Sequence, residues 1–185
     1  NRRYNSILEF AKGKCLEVGS GTGSLISNLK NRDNYVLSDI SFNMCMAIKK
    51  KYNCGVVCCD AEHLAFSGES FDTIISSEVI YYLNNPEKFI RESKRILKPN
   101  GNLIIMMANQ DMKIYDNARK ILRKFGVNKM YFDDGVTSFM KLKDLKKLLN
   151  GGFKIKKIKK IVLFPAKFLH NVNIIIESTF LKNFC

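Results

Sequence analysis

Hydrophobic and polar positions alternate along the chain in blocks whose lengths favour a sheet with helices between its strands. Short apolar runs, which are typical of buried strands, lie at 14–19, 34–40, 54–60, 70–77, 102–109 and 153–163. Between them, apolar residues at helical spacing predict helices over 22–30, 41–52, 85–98, 111–125 and 141–150. This alternation predicts an α/β fold in which helices cover both faces of a largely parallel sheet.

The tail of the chain gives a mixed pattern. The stretch V-N-I-I-I-E-S is β-branched and typical of a strand, whereas the apolar residues Leu169, Val172, Ile176 and Phe180 recur at helical spacing. We favour a helix over 166–180.

The stretch from Cys15 to Leu25, C-L-E-V-G-S-G-T-G-S-L, predicts a strand, a glycine turn and the start of a helix. Such a turn places backbone N–H groups at the carboxyl edge of a parallel sheet, where nucleotide-like ligands bind. The turn does not fit the dinucleotide pattern G-x-G-x-x-G, because Ser24 stands where the third glycine should fall. No G-K-S or G-K-T follows, which excludes a P-loop. A nucleotide-like ligand without a pyrophosphate cradle is therefore predicted.

Four segments, in order, resemble the class I S-adenosylmethionine-dependent methyltransferases. L-E-V-G-S-G-T-G resembles motif I of that family, and Asp39 ends the second predicted strand 20 residues after Gly19. D-A-E-H-L-A-F, from Asp60, resembles the segment that recognises adenine. F-D-T-I-I-S-S-E-V-I-Y-Y-L and R-E-S-K-R-I-L-K-P-N-G-N-L-I-I resemble the methyltransferase type 11-like branch, which includes quinone and other small-molecule methyltransferases. The resemblance covers about 5–109.

The resemblance implies a Rossmann-like, doubly wound α/β fold with a mostly parallel sheet of six or seven strands and helices on both faces. A single domain over 1–185 would consist of a cofactor-binding core at about 5–109, a variable substrate or lid region at about 110–137 and a completion of the fold over 138–185. The implied cofactor is S-adenosyl-L-methionine, and the implied product is S-adenosyl-L-homocysteine.

In the family, successive strand ends hold the amino-acid tail, the sugar and the base of the cofactor. The resemblance therefore assigns Asp39 to the ribose hydroxyls, Asp60 to the adenine amino group and Glu17 to the network around the methionine ammonium. Helix caps are the alternative for the two aspartates and a salt bridge for the glutamate, and Met44 belongs either to the helix core or to a lid over the adenosine. The predicted cofactor-binding residues are Glu17, Gly19, Ser20, Gly21, Gly23, Asp39, Ile40, Met44, Asp60, Ala61, Glu62 and Ser76.

Methyl transfer requires an acceptor atom held in line behind the methyl group, and a base only where the acceptor is poorly acidic. No catalytic residue is assigned. The candidates are Glu78, Tyr81 and Tyr82, which follow the fourth predicted strand, with capping and packing as their alternative roles.

The predicted acceptor is a small molecule, lipid-like or quinone-like, methylated on oxygen, nitrogen or carbon by in-line displacement. Nucleobase amino-methyltransferases carry D-P-P-Y or N-P-P-Y where S-S-E-V stands here, and no cysteine nucleophile lies between Cys59 and Cys185. The segment 109–137, rich in Met, Tyr and Phe, suits such an acceptor. An RNA-modifying methyltransferase and a non-catalytic S-adenosylmethionine-binding protein are the alternatives.

The net charge of +14 reflects a general excess of lysine, although K-I-K-K-I-K-K at 154–160 is dense enough to attract nucleic acid, lipid headgroups or an acidic metabolite.

Six cysteines form no C-x-x-C pair and two histidines stand alone, so reduced thiols and no metal site are expected. No apolar run approaches the roughly 20 residues of a membrane span, and 1–10 lacks the apolar block of a signal peptide. A soluble cytoplasmic protein is expected. The sequence begins at Asn1 instead of Met, which leaves open whether residues precede it.

Overall fold

The computed structural model describes residues 2–29, 32–108, 140–162 and 172–180. Its helices are α1 Arg2–Leu8, α2 Phe42–Lys51, α3 Pro86–Ile96 and α4 Leu142–Leu149. Its strands are β1 Cys15–Val18, β2 Tyr35–Asp39, β3 Gly55–Cys58, β4 Phe71–Ser77, β5 Leu97–Ala108, β6 Phe153–Val162 and β7 Val172–Phe180. Short 3-10 helices lie at Ile26–Asn28 and Ile80–Tyr82.

The strands form one seven-stranded sheet in the order β3-β2-β1-β4-β5-β7-β6. The pairs among β1 to β5 are parallel, whereas β7 pairs antiparallel with both β5 and β6. The predicted mostly parallel α/β sheet is therefore confirmed. Because β1 and β4 are neighbours but not consecutive in the chain, the strand order reverses between them, and the carboxyl ends of these strands form a crevice there.

Helices cover both faces of the sheet, as predicted. On one face, the α3 residue Phe89 and the α4 residue Leu145 pack in one core with Leu16 and Ile74 of the central strands. On the other face, Ile7 of α1 packs with Ile75 of β4. Alternate residues of β4 thus point into different cores, as the period of two in a strand requires.

The predicted helix over 22–30 is wrong. Within the described residues of that segment, only Ile26–Asn28 is helical, as a single 3-10 turn. Two side chains bond to the Ser24 carbonyl, Ser27 Oγ at 2.8 Å and Asn28 Nδ2 at 2.8 Å. These local bonds compete with an α-helical ladder, which explains why an apolar spacing typical of a helix produced turns instead.

The preference for a helix over 166–180 is also wrong, because Val172–Phe180 is a strand. It lies between β5 and β6 and pairs with both, and these two partners outweigh the helical spacing of the apolar residues. The helix predicted over 111–125 lies outside the described residues.

Two other elements agree with the sequence, and a third begins earlier than predicted. Ser41 caps α2 through a hydrogen bond from Met44 N to its Oγ at 3.4 Å, and α4 lies within the predicted helix over 141–150. β5 begins at Leu97, earlier than predicted, because Leu97 pairs with Phe71 before a bulge resumes the ladder at Asn102. Among the described residues, no helix combines the length and apolar character needed to cross a membrane.

Candidate functional site

A pocket of about 150 Å³ lies at the carboxyl ends of β1, β2 and β3, beside the loop that follows β4. Twelve residues line it: Val18, Gly19, Asp39, Ile40, Cys59, Asp60, Ala61, Glu62, Val79, Tyr82, Leu83 and Asn84. The pocket therefore occupies the crevice at the point where the strand order reverses.

The turn after β1 is held by its backbone. The N–H groups of Gly19 and Ser20 both donate to the Ser38 carbonyl of β2, at 2.8 and 3.0 Å. Gly19 has φ +70°, and a Cβ there would collide with the side chain of Val79. Gly21 has φ +52°, and a Cβ there would meet no atom within 4 Å. The turn needs glycine at 19 for close packing, whereas at 21 it leaves the backbone open to a ligand.

Asp39 ends β2 and is tied to this turn by both carboxylate oxygens. Its Oδ2 accepts a hydrogen bond from Gly21 N at 2.8 Å, and its Oδ1 accepts one from Ser41 N at 2.9 Å. The bond from Gly21 N orients the carboxylate toward the glycine turn. The bond from Ser41 N is the turn contact expected of an aspartate before a helix. Ile40, the next residue, is 73% exposed and lines the pocket.

The loop after β3 is ordered by two acidic side chains. Asp60 Oδ1 accepts from Glu62 N at 2.8 Å, and Glu62 Oε1 accepts from Asn85 N at 2.8 Å. Glu62 is buried and thus links the loop after β3 to the residue that caps α3. Ala61, which lies between them in the chain, lines the pocket.

Glu17 is a buried carboxyl group in the middle of the sheet. It is 3% exposed, and its Oε2 has no hydrogen-bond partner among the described residues. Burial, together with the negative charge of nearby Asp39, raises the pKa of Glu17 to about 8. The group is therefore largely protonated at neutral pH.

The loop after β4 carries the catalytic candidates. Glu78 has φ +62°, a conformation that few residues other than glycine adopt, and its N–H donates to Met106 O at 2.8 Å. The Tyr81 hydroxyl donates to Glu78 Oε2. The rings of Tyr81 and Tyr82 contact each other with centroids 4.9 Å apart, and Tyr82 is half exposed at the pocket. A carboxylate on a residue with a strained backbone, hydrogen-bonded by a phenol, thus lies in the loop that borders the pocket.

The structure brings half of the predicted cofactor-binding residues to one pocket. Gly19, Asp39, Ile40, Asp60, Ala61 and Glu62 line it, as does the candidate Tyr82. The other six do not line it: Glu17, Ser20, Gly21, Gly23, Met44 and Ser76. Ser76 is completely buried on the face opposite Glu17, and its Oγ has no partner among the described residues. Gly23 packs against Tyr52, whose ring would lie 2.8 Å from a Cβ.

Five lining residues were not predicted from the sequence: Val18, Cys59, Val79, Leu83 and Asn84. Most of these five residues are sequence neighbours of a predicted site residue. Their position at or just after a predicted strand end could have identified them. Within the described part of the chain, no group of three or more potential metal ligands occurs.

Residues 16–105 match the family model described as a methyltransferase domain. The chain thus carries, over these residues, a methyltransferase domain of the class I S-adenosylmethionine-dependent type. The cofactor of this domain is accordingly S-adenosyl-L-methionine, and the matched residues include β2 to β4 and most of β1 and β5.

Three curated relatives are informative. MJ1123 of Methanocaldococcus jannaschii is 34% identical over 114 residues, which are 59% of this chain and 53% of that protein. The malonyl-[acyl-carrier protein] O-methyltransferase of Marinomonas sp. is 29% identical over 51% of this chain and 38% of its own. The mitochondrial 2-methoxy-6-polyprenyl-1,4-benzoquinol methylase of Caenorhabditis elegans is 30% identical over 50% of this chain and 37% of its own. The chain thus spans about half or less of the length of these relatives.

Solved structures share the fold of this chain over nearly all of its length. A Methanosarcina mazei S-adenosylmethionine-dependent methyltransferase has a TM-score of 0.73 at 18% identity, covering 96% of this chain and 98% of its own. A Thermotoga maritima methyltransferase, described as a possible histamine N-methyltransferase, has a TM-score of 0.72 at 23% identity and covers 96% and 88%. The [4+2]-cyclase SpnF has a TM-score of 0.75 at 16% identity and covers 98% and 82%. These identities support the fold alone.

Proposed function

We propose that this protein, acting as a single domain over 1–185, transfers the methyl group of S-adenosylmethionine to an oxygen, nitrogen or carbon atom of a small-molecule acceptor. The observation that carries the proposal is the turn after β1. Its Gly21 is open on the ligand side while its N–H holds the Asp39 carboxylate at 2.8 Å. Backbone open to a ligand next to an oriented acid suits a sugar with two hydroxyls.

Glu17 fits the positively charged amino-acid tail of the cofactor. Its buried Oε2 has no partner among the described residues, and its pKa is about 8. An ammonium group beside it would favour the ionised carboxylate and supply the missing hydrogen bond.

The loops after β2 and β3 fit the adenosine part. Asp39 would accept from the ribose hydroxyls, and the exposed side chain of Ile40 would cover one face of the base. Asp60, Ala61 and Glu62 present a carboxylate and fixed backbone to the adenine edge.

The chemistry of the acceptor side falls to the loop after β4. S-adenosylmethionine supplies a methyl group that is already activated. The chain therefore has to orient the acceptor, exclude water and, where the acceptor is a hydroxyl or an ammonium, take up its proton. We propose that Glu78 and Tyr81 together take up that proton. The Glu78 N–H is held by Met106 O, and the Tyr81 hydroxyl donates to the Glu78 carboxylate. Tyr82 would contact the acceptor at the pocket mouth, which we define by the two exposed lining residues Ile40 and Tyr82.

A lipid-like or quinone-like acceptor is favoured by two observations. The pocket mouth is apolar, with Ile40 and Tyr82 both more than half exposed. Among the relatives, the names of the malonyl-[acyl-carrier protein] and benzoquinol enzymes refer to non-nucleic-acid acceptors.

Two other functions have some support. The net charge of +14 favours an RNA-modifying enzyme. The [4+2]-cyclase SpnF shares this fold, so the fold by itself does not require methyl transfer, and a protein that binds the cofactor without transferring its methyl group is the second alternative.

The test has two stages. Calorimetry should show micromolar binding of S-adenosylmethionine and S-adenosylhomocysteine, and no binding of NADH, which a dehydrogenase would bind. Radiolabelled methyl donor is then incubated with protein and, in parallel, with a lipid extract, an aqueous metabolite extract and total RNA. Label in a lipid or metabolite supports the proposal. Label only in RNA, or tight cofactor binding with no label in any arm, would replace it with the corresponding alternative.

A further inference from the structure

Exposed apolar side chains are concentrated at one place on this protein. Where side-chain exposure is described, all five exposed large hydrophobic residues lie at the pocket mouth or in α2, which begins two residues after Ile40: Ile40, Phe42, Met44, Met46 and Tyr82. Single exposed apolar residues are ordinary, but a contiguous group beside a binding pocket marks a contact surface.

The pocket does not account for Phe42 and Met46. The other three exposed residues line the pocket or belong to the predicted cofactor site, whereas Phe42 and Met46 do not line it. Their side chains are 64% and 40% exposed, and their spacing of four places them side by side on α2. The core contacts of α2 are made by Cys45 and Ile48, on another side of the helix. Phe42 and Met46 therefore form an apolar strip that faces outward.

The same side of α2 is positively charged. Lys49 and Lys50 stand in its last turn, and the helix contains no aspartate or glutamate. At about 100° per residue, Lys49 and Lys50 flank the direction of Met46. Phe42, Met46, Lys49 and Lys50 together constitute the α2 patch, in which apolar groups and ammonium groups share one exposed side.

We propose that the α2 patch docks on an anionic lipid surface and so brings the pocket mouth to the membrane. An exposed strip of Phe and Met bordered by lysine is the composition of a helix that lies in the headgroup region, with ammonium groups on phosphates and apolar groups below them. This inference rests on the proposed function, and it adds that the lipid-like acceptor enters from the bilayer.

The composition of the patch favours lipid over RNA. Proteins that bind single-stranded nucleic acid stack bases on several aromatic rings and use arginine as well as lysine. The α2 patch has one aromatic ring, one thioether and no arginine. Transfer of the exposed Phe42 and Met46 side chains from water into an apolar medium is favourable, and the acyl chains of a bilayer provide such a medium.

Flotation with vesicles tests the inference without any methyl donor. Wild-type protein should float with vesicles of mixed phosphatidylglycerol and phosphatidylcholine, and far less with phosphatidylcholine alone or at high salt. The double variant Lys49→Gln/Lys50→Gln should bind roughly 25-fold more weakly, at about fivefold per lysine near an anionic surface. The double variant Phe42→Ser/Met46→Ser should bind vesicles at least about tenfold more weakly, because two apolar side chains can no longer insert among the lipids.

The matched control is Lys146→Gln/Lys147→Gln, which removes two lysines from the last turn of α4. It should bind vesicles like the wild type, and an equal loss in this variant would show general electrostatic attraction and overturn the inference. So would wild-type protein that does not float, or an RNA oligonucleotide that binds more tightly than vesicles and depends on the α2 patch. If the serine pair unfolds in a thermal melt, Met46→Gln replaces it.

Failure of the docking inference and failure of the proposed function are distinguishable. Gly21→Val should lose cofactor binding and still float like the wild type, because its backbone lies in the turn after β1 and not on α2. Methyl transfer to a water-soluble acceptor without vesicle binding would retain the function and end the inference.

Discussion

The loop after β1 and the loop after β4 meet where Val79 packs on Gly19, yet they are built differently. In the first, backbone N–H groups are fixed by Ser38 and Asp39. In the second, the polar groups are side chains, a carboxylate and a phenol, on a backbone with φ +62°. A backbone site needs glycines at fixed positions and so leaves a motif in the sequence, whereas a side-chain site can be assembled from many residue types.

The most severe change to the first loop is Gly21→Val. The added side chain would occupy the space in which no atom lies within 4 Å and would be strained at φ +52°. We expect no detectable cofactor binding by calorimetry. Gly151→Val is the control, because a Cβ at Gly151 also meets no atom within 4 Å but lies after α4. Full affinity in Gly21→Val would mean that the ligand does not pass this turn.

The corresponding change to the second loop is Tyr81→Phe, which removes the phenol that donates to Glu78. With an acceptor that must lose a proton, we expect kcat to fall by about 10²-fold, at the lower end of the usual effect of a positioned base, with the cofactor Kd unchanged. Tyr82→Phe is the comparison and should affect the acceptor KM more than kcat. Equal losses in both variants would remove the distinction between the two tyrosines.

Asp39→Ala is expected to weaken cofactor binding several-fold without unfolding the protein. The charge-assisted bonds to the ribose hydroxyls would be lost, and Gly21 N would lose its acceptor. Calorimetry and a thermal melt measure the two effects separately, with Asp144→Ala on α4 as the control for loss of an acidic residue. Unchanged affinity would remove Asp39 from the site.

Glu17 gives a pH dependence of definite sign. Its pKa is raised from 4.5 to about 8 in the folded protein, so the folded state binds the proton more tightly than the unfolded chain. Its stabilising contribution is complete below about pH 4.5 and is lost as the pH rises toward 8, by at most about 1.4 kcal/mol per pH unit. Urea unfolding from pH 5 to 8 should show this loss in the wild type and not in Glu17→Gln.

The same group predicts a proton released on cofactor binding. An ammonium group beside Glu17 would lower its pKa, so binding near pH 7 should release up to about one proton. Calorimetry in buffers of different ionisation enthalpy counts that proton. Release that persists in Glu17→Gln would assign it to another group.

The central sheet could be predicted from the sequence because each strand is an apolar run whose ends are marked. K-C-L-E-V-G ends in a glycine turn, and the run that ends at Asp39 is followed by the capping Ser41. The same logic placed Asp39, Asp60 and Gly19 at one edge, because the carboxyl ends of parallel strands meet there.

The wrong predictions concern segments in which hydrogen bonds to other groups compete with the structure that the local sequence pattern favours. The segment after Gly21 has helical spacing, but bonds from Ser27 and Asn28 to Ser24 O replace the helical ladder. Val172–Phe180 became a strand because β5 and β6 pair with it from both sides. Val79 and Leu83 entered the pocket through the path of the loop after β4, which no spacing rule specifies.

β6 is an edge strand of the described sheet, and its lysines affect whether another chain can pair with it. Lys154 and Lys156 are exposed, while Lys159 reaches Glu9 at 2.9 Å. Another extended chain could pair with this edge strand only by placing its own backbone next to a row of hydrated ammonium groups. The lysine-rich strand thereby disfavours the addition of a foreign strand at this edge of the described sheet.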